Sequence, residues 1–308
     1  MKNELLGVPW ASTPPRRLAE FLGDGEGAAG GVTGQLEVMS RRLGVTPLRD
    51  GTVSRIPESM VTTEVPPLEA LAFSRAAYGA TPEDLTVFRS MGVNPQQQLE
   101  AWVDWQLEPD NIDDSELETR LTQSNYETLH KSLEELWDDH IREQEDIGYR
   151  MLPIYEAQHA AMLTATFSRR QLTEVLVDFW HSPFNVYGCH FFVGPVFVHY
   201  DRDVIRPHSL GNFRQFLEAM TASPAMGFYL DNIFSSADGP NENSARELLE
   251  LHTLGEENYY GASPSSEVPT DNNGVPMGYT DEDVRELARC LTGWSLDERN
   301  GDFLYRWY

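Results

Sequence analysis

The sequence predicts a mainly α protein, a multi-helix globular domain with little or no β-sheet. Three observations carry this. Apolar residues recur at helical spacing in segment after segment. Ser, Thr and Asn stand at helix starts with acids in the first turn behind them. Nothing alternates as strand–helix–strand, and no internal repeat recurs at a fixed period.

Residues 1–64 carry weak periodicity and a Gly-rich stretch ending Ala28-Ala29-Gly30-Gly31, and read as a loosely ordered leader or linker. One helical domain is expected from residue 65 to 308. Its first helix starts at Leu68, Leu71, Ala72 and Arg75. Thr81-Pro82-Glu83-Asp84 then supplies a cap, a proline at the first helical position and two acids for the second. Helical patterning continues over 94–107 and 114–146, the latter with Leu129, Leu133, Leu136, Trp137 and Ile141 as its apolar stripe. Segments 153–168 and 170–181 follow; Leu172, Val175, Leu176, Phe179 and Trp180 give the clearest core-facing stripe. Phe191 to Tyr200, aromatic and broken by Gly194-Pro195, reads as a buried extended segment or a lining loop. Helices resume at Asn212, Asn241 and Thr280.

The 23 Lys+Arg stand against 49 Asp+Glu, a net charge of −26. Such a balance argues against nucleic acid and anionic lipid, which are held by basic surfaces. Only Lys2 and Lys131 are lysines. A saline environment selects such a surface, and so does a GC-rich genome. No signal peptide or membrane span is visible, so membrane insertion is not expected and the cytoplasm is the default location. Cys189 and Cys290 form no redox or zinc pattern, and Cys189 is expected as a buried thiol.

Several blocks stand out, in order, along the chain. They are Phe73-Ser-Arg-Ala-Ala-Tyr-Gly-Ala-Thr-Pro82, Leu176-Val-Asp-Phe-Trp-His-Ser-Pro-Phe-Asn185 and Val204-Ile-Arg-Pro-His-Ser-Leu-Gly-Asn-Phe-Arg214. Pro224-Ala-Met-Gly-Phe-Tyr-Leu-Asp-Asn232, Asn241-Glu-Asn-Ser-Ala-Arg-Glu-Leu-Leu-Glu-Leu-His-Thr-Leu-Gly255, Gly278-Tyr-Thr-Asp-Glu-Asp-Val284 and Ala288-Arg-Cys-Leu-Thr-Gly-Trp294 complete the set. In this order they resemble one bacterial family of uncharacterised proteins, the domain-of-unknown-function 1800 family, and the resemblance covers about residues 68–308. It implies large, often exported proteins, frequently encoded beside a sulfatase-like family that is thereby a candidate partner, and brings no established reaction. The resembling proteins continue past Trp294. A C-terminally incomplete chain is therefore expected, with apolar surface exposed at Leu291, Trp294, Phe303 and Trp307.

Candidate chemistry centres on the helix from Asn241. On a wheel of 100° per residue, Asn243, Arg246, Glu247 and Glu250 share a face opposite Ala245, Leu248, Leu249 and Leu251. Arg246 and Glu250 are spaced for an ion pair. The face reads either as ordinary solvated surface or as a carboxylate pair working in a cleft. His181, at the end of an apolar helix, joins Arg246, Glu247 and Glu250 as the catalytic candidates. Asp231, Glu247 and Glu250 are the candidate ligands of a divalent metal. Asp231 reads equally as a helix cap. His252 falls on the apolar side as a core histidine, with Glu247 pointing away from it. The nine-residue spacing of His181, His190, His199 and His208 puts successive rings on opposite helical faces and carries no meaning. Arg206 ahead of Pro207-His208 favours an anion. Thr280-Asp-Glu-Asp283 reads as a capping box rather than a calcium loop.

Two function classes follow: an enzyme, possibly a metal-assisted hydrolase with a pocket of His and carboxylates, or a non-catalytic assembly partner of a second exported protein. Convergence of His181, Asp231, Glu247 and Glu250 on one cleft would favour the first.

Overall fold

The structure is a computed structural model that describes residues 66–142 and 146–297 and the backbone of 303–305. The leader expected over 1–64 lies outside the described residues. The rest is mainly α, and its helices begin where short polar side chains cap them. Helix α1 (Leu68–Ala76) and α2 (Pro82–Ser90) pack with α3 (Pro95–Gln106). Thr81 and Asp84 close a reciprocal capping box at the start of α2, and Asn94 accepts from the Gln97 amide at the start of α3. Phe73, Phe88 and Trp102 meet at centroid distances of 5.2–6.2 Å to form a small aromatic core.

The long helix expected over 114–146 is two. Helix α4 (Ser115–Gln123) stops ahead of Asn125, which takes a left-handed φ of 50°. A new capping box, Ser132 with Glu135, opens α5 (Leu133–Trp137), which widens into a π-helical turn at Asp138–Arg142. After α6 (Ile147–Arg150), helices α7 (Leu152–Phe167) and α8 (Gln171–His181) run as the periodicity foretells.

The segment expected as extended or looped, Phe191 to Tyr200, is a turn as far as Val193 and helical from Gly194. A 3-10 turn (Gly194–Val196) leads into α9 (Phe197–His199), a π-helical turn (Tyr200–Ile205) and α10 (Arg206–His208). Val196, Tyr200, Val204 and Ile205 are buried in the main core with Phe184 and Phe216. Aromatic and β-branched content misled here because burial on several sides imitates a strand. Pro207 has no N–H to give the carbonyl four residues back, so the α ladder is interrupted there and the turn ahead of it is the wider one.

Asn212 caps α11 (Phe213–Thr221), Ser223 caps α12 (Pro224–Tyr229) and Asn241 caps α13 (Glu242–Glu250). Helix α14 (Asp281–Cys290) packs on α13, burying Ala245, Val284, Ala288 and Leu291 around Tyr279. Its Thr280–Asp283 capping box matches the sequence reading. Thr280→Ala is expected to lower stability by about 1 kcal/mol in urea unfolding. A change below about 0.3 kcal/mol would mean that the cap is redundant. Two three-residue strands, β1 (Trp294–Leu296) and β2 (Phe303–Tyr305), pair antiparallel and are the only strands among the described residues.

Leu291 is buried and Trp294 half-buried, contrary to the expected apolar exposure there. The side chains of Phe303 and Trp307 lie outside the described residues. Cys189 is exposed, not buried, because its loop runs along the surface. No described helix is long and apolar enough to cross a membrane.

Candidate functional site

Helix α8 does not bury the face its apolar stripe suggests. Phe179 is 56% exposed, while Glu174 is 8% exposed and Val177 is fully in the core. A carboxylate is rarely buried without a partner, because its desolvation costs several kcal/mol. The partner is Arg206, whose Nη1 donates to both Glu174 oxygens at 2.9 Å. Arg206 Nε donates to Asp201 Oδ2 at 2.8 Å, and Asp201 Oδ1 meets His181 Nε2 at 2.9 Å. Four side chains thus form one relay, His181–Asp201–Arg206–Glu174.

Local structure explains why they meet. Glu174 and His181 are seven positions apart on α8, nearly two full turns, and so share a face. Asp201 and Arg206 are five apart, which an α-helix would splay. In the π-helical turn the Arg206 N–H bonds back to the Asp201 carbonyl, and residues five apart stack along one side. The wide turn is thus what joins the two halves of the relay.

Three of its members, Glu174, Asp201 and Arg206, floor a cleft of about 640 Å³ between α4, α7, α8 and the 194–208 helix. Leu117 and Ala160 give it an apolar wall, and Thr173, Glu174, Asp201 and Arg206 a polar one. His181 reaches this floor through Asp201. Its ring stacks on Phe197 at 5.7 Å and meets the Tyr200 edge at 6.0 Å. An ionised carboxylate only accepts, so in the neutral ring the proton sits on Nε2 and Nδ1 keeps its lone pair. Nδ1 has no hydrogen-bond partner among the described residues.

Burial by itself would raise Asp201, but the His181 hydrogen bond and the Arg206 charge outweigh it and hold Asp201 down at about 2. Burial pushes Glu174 up, and the Arg206 charge only partly opposes it. The same guanidinium therefore sits between a carboxylate fixed as an anion and one drawn toward its neutral form. Tyr78 is pushed up to about 12, by burial first and then by the charges of Asp178 and Glu174.

Asp201 links the site to pH. Its folded value lies below the ordinary carboxylate range near 3.9. The stabilisation is therefore complete above that range and is lost as pH falls through about 2. The difference amounts to about 2 kcal/mol. Glu174, raised by burial, works in the opposite sense on acidification. Asp201→Asn is therefore expected to flatten the wild-type loss of stability between pH 5 and pH 2 by about 2 kcal/mol in urea titrations. Parallel curves for the two proteins would contradict the assignment.

The sequence-based candidates are divided among four places. His181 belongs to the relay. Arg246 does not pair with Glu250; it lies 3.5 Å from Asp281 and over the Tyr259 ring at 5.2 Å, because α14 brings that acid alongside α13. Glu247 lines a smaller cleft beyond Ser182, and burial together with the Glu250 charge raises its pKa. Asp231 adopts a left-handed φ of 58°, makes no cap, and is raised by burial while the nearby His190 opposes the shift.

Among the described residues no group of three His, Cys, Asp or Glu side chains is arranged to hold a metal ion. Asp231, Glu247 and Glu250 are accordingly not assembled as a metal centre. His181, Asp231, Glu247 and Glu250 do not share one pocket either: of the four, Glu247 alone lines the smaller cleft. Arg206, expected to attract an anion, already holds two carboxylates.

His252 departs from the wheel. Helix α13 ends at Glu250, and the His252 amide bonds to the Glu247 carbonyl, five residues back. The Leu254 and Gly255 amides both reach Leu249, the latter with a φ of +89° that favours glycine. This unwinding turns Leu251 outward, 61% exposed, and puts His252 beside Glu247 in the lining of the same cleft.

Glu174 and Asp201 are the site residues that motif reading missed, and Arg206 was read only as a residue that attracts an anion. The spacing of Glu174 to His181 was a readable signal; the pairing across a π-helical turn was not. No curated protein and no solved structure gives a significant match to the chain. A family model matches residues 71–307, nearly all of the described chain, and the protein belongs to the family described as "Protein of unknown function (DUF1800)".

Proposed function

We propose that the protein is an enzyme of hydrolase type in which His181 acts as general base and acid on a small substrate held in the cleft beside it. The observation that carries this reading is the His181–Asp201 pair. The carboxylate accepts a hydrogen bond from Nε2–H, the aromatic rings of Phe197 and Tyr200 fix the imidazole, and Nδ1 is left with an unused lone pair. An imidazole oriented by a fixed anion is the arrangement that proton transfer from a water or hydroxyl requires. Arg206 secures the anion, and Glu174 supplies a second carboxyl of different acidity at the cleft wall. Carboxyls driven apart in this way mark acid–base sites.

The test is a panel of chromogenic carboxylic, phosphoric and sulfuric esters and glycosides, offered to wild type and to His181→Asn. Turnover of one class by wild type alone supports the proposal. Equal rates for the two proteins on every class that is turned over overturn it.

One observation favours the non-catalytic alternative, an assembly partner of a second protein. Phe179 and Phe213 are both exposed on either side of Trp180, a contiguous aromatic surface. Under that alternative Phe179→Asp changes association while no substrate is turned over.

A further inference from the structure

The protein shows how it holds an ammonium group. Lys131 Nζ lies 3.3 Å from Glu127 Oε1, 3.1 Å from Asp139 Oδ2 and 3.0 Å from His140 Nε2, with the Tyr149 ring at 5.7 Å. His140 Nδ1 faces the Tyr149 carbonyl at 2.8 Å, so its proton is placed there and Nε2 accepts from the lysine. Two carboxylates, a neutral imidazole and a tyrosine ring surround one cation.

A similar set occurs beyond Ser182 without a cation of its own. A cleft of about 450 Å³ is lined by Asn185, Tyr229, Leu230, Glu247, Leu251 and His252, among others. His252 is 8% exposed, its ring stands edge-on to Phe184 at 5.3 Å, and burial lowers it to about 4, so it is neutral at pH 7. A neutral imidazole keeps one accepting nitrogen. Yet neither ring nitrogen of His252 has a partner among the described residues, and Nδ1 is wholly buried. Orphaned polar groups of this kind are uncommon in a folded interior. Glu247 sits in the same lining with the charge of Glu250 close by. Arg246, whose charge is also felt by Glu247, pairs instead with Asp281 and lies over the Tyr259 ring.

We infer that this cleft binds a small primary amine. Its ammonium donates to the Glu247 carboxylate and to a His252 ring nitrogen, and its apolar tail lies against Leu230 and Leu251. A third ammonium hydrogen is within the chemistry of Asn185, whose amide oxygen accepts. The site is separate from the relay and does not depend on the reaction proposed there.

Calorimetric titration of the whole chain with pentylamine at 0.15 M salt and pH 7 tests this, with 1-pentanol as the neutral control. Salt at that level screens diffuse attraction to the acidic surface. One saturable site is expected for pentylamine and none for pentanol, with at least tenfold weaker binding to Glu247→Gln. Equal binding of the alcohol, or an unchanged affinity in a folded Glu247→Gln, overturns the inference. The His252 ring resonances of the wild-type protein give a readout that needs no variant. They should shift as pentylamine saturates, and a His252 ring that does not respond overturns the inference as well.

Discussion

Arg206→Met is expected to destabilise the protein by about 3–5 kcal/mol, the largest effect of any single substitution in the site. The side chain it removes holds Glu174 and Asp201 at the same time, at 2.8–2.9 Å. Methionine keeps most of the volume but leaves a buried carboxylate with nothing to face. Uptake of a proton by Glu174, which burial already favours, recovers part of that cost. Two further results identify the cause. Lowering the pH should narrow the gap between wild type and variant, since protonation disposes of the orphaned charge. Adding Glu174→Leu to Arg206→Met should restore part of the lost stability, since removing both partners of a buried pair costs less than removing one. Urea unfolding reads all three, and a loss below about 1 kcal/mol in Arg206→Met would mean that the relay is solvated rather than buried.

His181→Asn is expected to lower turnover by about 10²–10⁴-fold, the range that a positioned acid–base group contributes. The ring lies at the end of α8, partly open to solvent, so the accompanying loss of stability should stay near 1 kcal/mol, the worth of one hydrogen bond. A structural role predicts the reverse balance: unfolding moves first, and activity falls only as the folded fraction does. Turnover is measured on whichever substrate class the panel returns, with the unfolding midpoint determined on the same preparation.

Much of the helical scaffold is legible in the sequence because its signals are local. Thr81 and Thr280 announce their helices by capping chemistry alone, and Asn94, Asn212 and Asn241 do the same. The 114–146 segment was misread as continuous although Ser132 and Glu135 carry the same capping signature. What periodicity could not convey is where the helical repeat itself changes. The π-helical turn at Tyr200–Ile205 brings Asp201 under Arg206, and a wheel of 100° per residue places them apart. Beyond Glu250 the chain leaves the α ladder, and the same wheel sends His252 away from Glu247 when the two share a cleft. Helix α8 misleads in another way. It is covered on more than one side, so its most apolar stripe is not its most buried face, and Glu174 is hidden by a partner 32 positions away in the chain. His181 was readable because a polar ring at the end of an apolar helix stands out locally; its three companions depend on tertiary contact.

The central claim is that His181 and Asp201 act as one catalytic unit rather than as a tie between helices. A double-mutant cycle on turnover tests it most directly, with His181→Asn, Asp201→Asn and the combined variant assayed on the same substrate and checked for folding. If the pair is one unit, each single substitution removes most of the activity and the combination removes little more, as for groups that work only together. Additive losses, or a combined variant whose rate simply follows its folded fraction, would contradict the account.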